Sequence, residues 1–84
     1  LIIEDKDGLT VVDYKTDAVD LLGVPRLIAR YTPQISLYSY GLEKITGRTV
    51  KEAVIVFLTP GVQRCIDWRS YISSISEGAV QYAF

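Results

Sequence analysis

The residues best suited to chemistry are Asp13 and Lys15, near the end of Leu9-Thr10-Val11-Val12-Asp13-Tyr14-Lys15-Thr16-Asp17. Leu9, Val11 and Val12 are strand formers, so the stretch reads as a strand that is mostly apolar and ends in charge. Side chains alternate along a strand, which puts Asp13 and Lys15 on one face and Tyr14 on the other. A carboxylate beside an ammonium at the end of a buried strand has a chemical use. The carboxylate holds a divalent metal ion, and the lysine steadies or deprotonates the water that attacks phosphorus. The same pair also reads as a rim salt bridge where a strand meets solvent, an arrangement that is common and contributes little.

A second group of polar side chains is Tyr31-x-x-Gln34-x-x-x-Tyr38. On a helix, positions i, i+3 and i+7 share a face, and Gln34 and Tyr38 are neighbours one turn apart. A glutamine inside an otherwise apolar stripe needs partners for its amide. Either it faces a site, or it sits at the edge of the stripe and bonds water or the backbone. By themselves the tyrosines read as core residues whose hydroxyls reach water.

The elements that must position these groups follow from the chain in order. Leu1 to Glu4 reads as a short strand, Asp5-Lys6-Asp7-Gly8 as a turn and Leu9 to Lys15 as the return strand of a β-hairpin. The Asp5-x-Asp7-Gly8 run fails as an EF-hand calcium loop, because Ile3 and Tyr14 stand where acids are required. Thr16 to Leu22 is a connection with room for a helical turn. Val24, Ile28, Tyr31, Ile35, Tyr38, Leu42 and Ile45 then mark one face of a helix that Gly47 ends. Pro33 lies within it. Either the helix kinks there, or Thr32 caps a second helix that begins at Pro33; the unbroken phase of the apolar face favours one kinked axis. Ala53 to Leu58 is a continuous apolar run suited to a strand covered on both faces. Thr59-Pro60-Gly61 signals a type II turn, and Val62 to Asp67 a partner strand. Trp68, Tyr71, Ile72, Ile75, Ala79 and Tyr82 have helical spacing, with Asp67 as N-cap. The expected order is β-β-α-β-β-α, one α/β domain spanning residues 1–84.

Composition narrows the function classes. The 84 residues suffice for one small domain with a modest core. A net charge of −1 means that any contact with DNA comes from a local patch and not from the chain as a whole. Cys65 alone supports neither a disulfide framework nor a cysteine zinc site, and the absence of histidine excludes a histidine triad or metal cluster. No apolar run approaches the ~20 residues that cross a bilayer, and no stretch reads as a signal peptide or low-complexity tract.

Val12-Asp13-Tyr14-Lys15-Thr16-Asp17, followed by Tyr31-x-x-Gln34-x-x-Leu37-Tyr38, resembles the nuclease domain of RecB-type and AddA-type helicase–nucleases. These belong to the PD-(D/E)xK superfamily, and the likeness runs from Leu1 to about Leu58. A lone D-x-K is weakly specific; D-Y-K-T followed by a Q-x-x-x-Y helix and an apolar strand is much more so. The resemblance implies a restriction-endonuclease-like core. It also implies a magnesium-dependent DNA exonuclease, with manganese as a possible substitute, working in end processing and recombinational repair in the cytoplasm. Asp13 matches a metal ligand, the Tyr14 backbone carbonyl a further metal oxygen and Lys15 the catalytic lysine. Gln34 and Tyr38 match the motif that positions the substrate strand beside the active site, and Thr16 and Tyr31 fall among the DNA contacts.

The chain also departs from the family pattern. Members carry an earlier metal-binding aspartate on the first strand, in I-D-L or I-D-R, and many have an upstream histidine. This chain opens at Leu1-Ile2-Ile3 and has no histidine. The expectation is therefore the C-terminal part of such a domain, truncated at its N-terminus and inactive alone. If Glu4 pairs with Leu9, it lies ~13 Å along the ladder from Asp13 and cannot replace the missing ligand. No G-x-x-x-x-G-K-[ST] loop is present, so ATP would act only through helicase domains elsewhere in a parent chain. The expected partners are DNA, the rest of that chain and a possible second subunit, with no membrane. Two rival readings stand: a nuclease-fold module that binds DNA or a partner subunit without cutting, and a structural α/β domain with a rim ion pair.

Overall fold

Gly8 shows how closely the first hairpin is held. In the computed structural model, β1 (Ile2–Asp5) and β2 (Gly8–Lys15) pair antiparallel, with Asp5 opposite Gly8 and Lys6-Asp7 as the turn. The Asp5 carboxylate accepts from the Asp7 N–H at 2.8 Å and closes the turn. Gly8 has a φ of +142°, and a Cβ there would lie 2.5 Å from the Thr49 carbonyl oxygen. Both the conformation and the space exclude a side chain. Gly8→Ala is expected to destabilise the fold by about 1–3 kcal/mol. Urea unfolding measures this directly; an unchanged midpoint would show that the Thr49 strand end can yield.

The structure describes the backbone of residues 1–82 and the side chains through Ile75. A single 3-10 turn (Leu21–Gly23) follows the hairpin, capped by the Asp20 carboxylate on the Gly23 N–H at 3.0 Å. Then come α1 (Val24–Thr46), β3 (Val50–Phe57), β4 (Val62–Cys65) and α2 (Trp68–Tyr82). The α/β class and the order of elements are those expected. Strand order is β1-β2-β3-β4, with β2 and β3 parallel and the outer pairs antiparallel. A parallel pair needs a long crossover, and α1 supplies it.

α1 is one helix through Pro33. The missing proline N–H frees the carbonyl of Ala29, which is exposed, so water can take the place of the lost bond. Gly47, at φ +69°, ends the helix in the left-handed conformation, with its N–H on the Glu43 carbonyl. The buried face differs from the one expected. Val24, Leu27 and Ile35 are buried and Ile28, Tyr31 and Leu42 partly so, but Tyr38 is 52% and Ile45 85% exposed, while Ser36 and Ser39 are fully buried. The reason is the second helix. The Arg69 guanidinium of α2 pairs with Glu43, and Ser36 and Ser39 lie two and one turns before Glu43 on the same flank. Small side chains there allow a helix to approach, and the opposite flank, with Tyr38 and Ile45, is left in solvent.

Glu43 ties three elements together. Its carboxylate accepts from the Val50 N–H at 2.7 Å as well as from Arg69. Burial opposes its charge, but Arg69 and the Val50 amide outweigh burial and hold the carboxyl below its ordinary range. Trp68 adds a second tie, its indole N–H donating to the Val50 carbonyl at 3.2 Å.

The core lies between α1 and the sheet: Leu9, Val11, Val24, Leu27, Ile35, Val50, Ala53, Ile55 and Phe57, closed by Ile66 and Trp68. A bulge at Lys51 lets Val50 and Ala53, three residues apart, both turn inward. β3 is buried on both faces at its centre, as expected: Ala53, Val54, Ile55 and Phe57 are buried in succession and Val56 partly so. α1 packs on β2 and β3 and α2 on α1; on the other face, with Thr10, Val12 and Val56 partly buried and Tyr14 exposed, Val54 is buried among its strand neighbours. The shortest extent, 15 Å, is that of two layers. The apolar run of β3 reflects its interior place between two strands. Two boundaries also move: β3 begins at Val50 and ends before Leu58, and β4 stops at Cys65. The loop between them is closed by Gly61 N–H on the Phe57 carbonyl at 3.0 Å, a wider turn than type II, with Gly61 at φ +73°. Asp67 caps α2 through Ser70, as expected. Ala79 and Tyr82 of the expected α2 face lie outside the described side chains.

Candidate active site

The parallel register decides which way the end of β2 points. Val11, Asp13 and Lys15 stand beside Ala53, Ile55 and Phe57, so the two charged residues continue the buried apolar row of β2 on the face that α1 covers. Tyr14 points to the other face and is 51% exposed. Lys15 Nζ lies 3.2 Å from Asp13 Oδ2, with the side chains 18% and 32% exposed.

Leu1 exchanges both backbone bonds with Val12, its amino group donating to Val12 O at 3.0 Å and Val12 N–H donating to Leu1 O at 2.8 Å. Lys15 O accepts from Leu58 N–H on the β3 side. Backbone groups alternate sides along a strand, so Tyr14, like Val12, directs its carbonyl toward the β1 side. That oxygen and the Asp13 carboxylate are hard donors at one sheet end.

Asp13, Gln34 and Tyr38 line the same cleft of about 230 Å³, with Leu1, Val11, Val12 and Ile35 as its other walls. The flank of α1 that α2 leaves open is the one that faces Asp13. Gln34 is exposed and makes no side-chain hydrogen bond among the described residues. Lys15 and Tyr31 flank Asp13 outside the cleft: Lys15 Nζ is 4.1 Å from the centroid of the Tyr31 ring. The Tyr31 hydroxyl donates to Asp17 at 3.0 and 3.2 Å from the two carboxylate oxygens. Thr16 is exposed just beyond β2 and joins none of these contacts.

Glu4 is not part of the site. It pairs with Leu9, four residues along β2 from Asp13, and its carboxylate is taken by Arg48. Spacing does not single out Asp17, because its partner Tyr31 lies across a connection whose path the sequence does not specify. A larger hollow of about 390 Å³ lies at the opposite end of β3, between Thr49 and Ala53 and between Cys65 and Arg69. Its charged groups are already matched within the fold: Lys51 with Asp5, Arg69 with Glu43, Asp67 with Ser70. Cys65 donates to Glu52 at 3.3 Å, and that bond together with burial pushes its thiol above the ordinary value, away from nucleophilic use. The smaller cleft is therefore the one with free polar groups converging on it.

A carboxylate, an ammonium, an amide and a phenol gathered at one end of a mixed sheet can bind a metal ion and a phosphate ester together. No protein-family model matches the chain. It is similar to proteins named as A-type subunits of ATP-dependent helicase/nucleases. That of Lachnoclostridium phytofermentans is 47% identical over 58 residues, 69% of this chain and 4% of the relative. That of Alkaliphilus oremlandii is 50% identical over 52 residues, 62% of this chain and 4% of the relative. That of Bacillus thuringiensis is 38% identical over 63 residues, 67% of this chain and 5% of the relative. The chain thus spans about one twentieth of the length of these relatives. Among the described residues, no helix is long and apolar enough to cross a membrane.

Proposed function

We propose that this chain is part of the nuclease domain of a helicase–nuclease, with a restriction-endonuclease-like core, and that it contributes to metal-dependent cleavage of DNA. The observation that carries the reading is the cleft shared by Asp13, Gln34 and Tyr38, with Lys15 at 3.2 Å from Asp13. Spacing alone does not require a strand end and a helix flank to meet there.

Magnesium takes oxygen ligands in a near-octahedral shell and is commonly held by one or two carboxylates together with water and substrate phosphate. Asp13 and the Tyr14 carbonyl fit as part of such a shell. When bound, the ion supplies charge that stabilises the pentacoordinate phosphorus and its leaving oxygen. The chain's own residues do the rest. Lys15 holds or moves a proton on the attacking water, Gln34 offers an amide to the strand being cut, and Tyr38 offers a ring and hydroxyl on the cleft wall. Thr16, exposed just beyond β2, is the proposed contact to the DNA backbone. Unwinding by ATP hydrolysis belongs to other parts of a longer chain. A second subunit is a further expected partner.

One observation favours the rival reading of a module that binds DNA without cutting: among the described residues, Asp13 is the only acidic one lining the cleft. The test is Asp13→Asn in the full-length protein. Degradation of linear duplex DNA in magnesium is expected to fall by roughly 100-fold or more, as for loss of a principal electrostatic contact to the reacting centre. Wild-type protein that binds DNA ends but leaves them intact in both magnesium and manganese would favour the non-cutting module.

A further inference from the structure

Lysine carries a flexible four-carbon stem, so an ammonium that must meet one water needs to be held. Lys15 has two holders. One is Asp13, at 3.2 Å; the other is the face of the Tyr31 ring, 4.1 Å from Nζ to the centroid. The ring is itself anchored, because its hydroxyl donates to both oxygens of Asp17. We propose that Tyr31 and Asp17 are positioning residues for Lys15: Asp17 fixes the ring, and the ring holds the ammonium beside Asp13. The inference rests on the reading that Lys15 acts in DNA cleavage.

The geometry distinguishes the two holders. An Asp13 carboxylate that turns its oxygens to a metal ion gives up much of its hold on Lys15. The Tyr31 ring offers no ligand to a metal ion: its hydroxyl is occupied by Asp17, and of the two cations over the ring Lys15 is the nearer, at 4.1 Å against 5.8 Å for the Arg30 guanidinium. The quadrupole of an aromatic ring attracts an ammonium without taking its proton, which suits a lysine that steadies the attacking water by donating to it. The clamp also joins elements distant in sequence. Asp17 sits in the connection just after β2, and Tyr31 lies two turns into α1. Lys15 is thereby referenced to the helix that also carries Gln34 and Tyr38.

The test uses the full-length protein with Tyr31→Leu, Tyr31→Phe, Asp17→Ala and the Tyr31→Phe/Asp17→Ala double variant. Tyr31→Leu is expected to lower kcat for cleavage roughly 10- to 100-fold, the scale of a misplacement near 1 Å. With its hydroxyl on Asp17 and its face on Lys15, Tyr31 is assigned to positioning in place of the DNA contact that the resemblance implies, so KM for DNA and ATP-driven unwinding should stay nearly unchanged. Tyr31→Phe keeps the ring and loses the anchor, so it and Asp17→Ala are each expected to cost only several-fold. Because both remove the same bond, the double variant should be no worse than either single one. A readout independent of cleavage is the labelling of Lys15 by an amine-reactive reagent, followed by peptide mass spectrometry without metal. Labelling should rise in Tyr31→Leu and less in Tyr31→Phe. A raised KM with kcat retained in Tyr31→Leu would make Tyr31 a DNA contact and overturn the proposal. So would additive losses in the double variant, or Lys15 labelling indifferent to all four changes. Cleavage that survives Lys15→Ala would instead remove the nuclease reading itself, and the labelling pattern would still report whether the clamp exists.

Discussion

Lys15→Ala in the full-length protein is expected to abolish DNA cleavage while ATP-driven unwinding stays nearly intact. Loss of a group that transfers a proton in the transition state costs ~10²–10⁴ in rate, which in an end-processing assay reads as no cleavage. The fold should tolerate the change. Lys15 is the last residue of β2, at the rim beyond the Leu9 and Val11 row, and its truncation opens no cavity inside the core. Lys15→Arg sharpens the result. Arginine restores the positive charge but stays protonated, so recovery of cleavage would assign Lys15 to steadying the water and continued loss would assign it to deprotonation. The measurement is release of nucleotides from linear duplex DNA beside a strand-displacement assay on the same preparation. Equal loss of both activities would indicate a folding defect and would remove Lys15 from the chemistry.

The 84-residue chain by itself is expected to cleave neither linear duplex nor single-stranded DNA, even with abundant magnesium or manganese. A site for phosphoryl transfer needs several oxygen ligands in fixed places. Among the described residues no group of three or more acidic, cysteine or histidine side chains is placed to hold an ion. Asp13 and the Tyr14 carbonyl are two donors, and Glu4 is both ~13 Å along the ladder and engaged with Arg48. With too few ligands, ion occupancy and geometry fail together, and positioning by Lys15, Gln34 and Tyr38 recovers little of the rate without the ion's charge. The exposed strand β1, at the sheet edge, gives the isolated chain a surface for self-pairing, so the assay should be run beside sedimentation. Cleavage by the isolated chain that disappears on Lys15→Ala would show a complete site within these 84 residues and would falsify this account of the metal.

The hairpin, the long helix and the α/β class are legible in the sequence because they rest on local rules. Alternation through Leu9, Val11, Asp13 and Lys15 sets one strand face whatever lies above it. Gly8, Gly47 and Gly61 stand where the backbone takes positive φ, and such positions announce themselves. The period of α1 is strong enough to carry one axis through Pro33. What the period does not show is which part of the stripe is buried. Tyr38 and Ile45 fit the apolar phase as well as Leu27 does, yet they face solvent.

The difference comes from contacts distant in sequence. Arg69 on α2 draws that helix against the Glu43 flank of α1, which buries Ser36 and Ser39 and leaves the opposite flank open. That open flank is where Gln34 and Tyr38 meet Asp13. The placing of α1 on one face of the sheet and the Lys51 bulge are likewise set by how whole elements pack. Local periods are enough to say that Asp13 and Lys15 share a strand face and that Gln34 and Tyr38 share a helix face, since those periods are built into the backbone. That the two faces adjoin one cleft, and that Asp17 anchors Tyr31 beside Lys15, follows from packing alone. The rotation of α1 about its own axis is set by α2 and the sheet together, and no local rule encodes it.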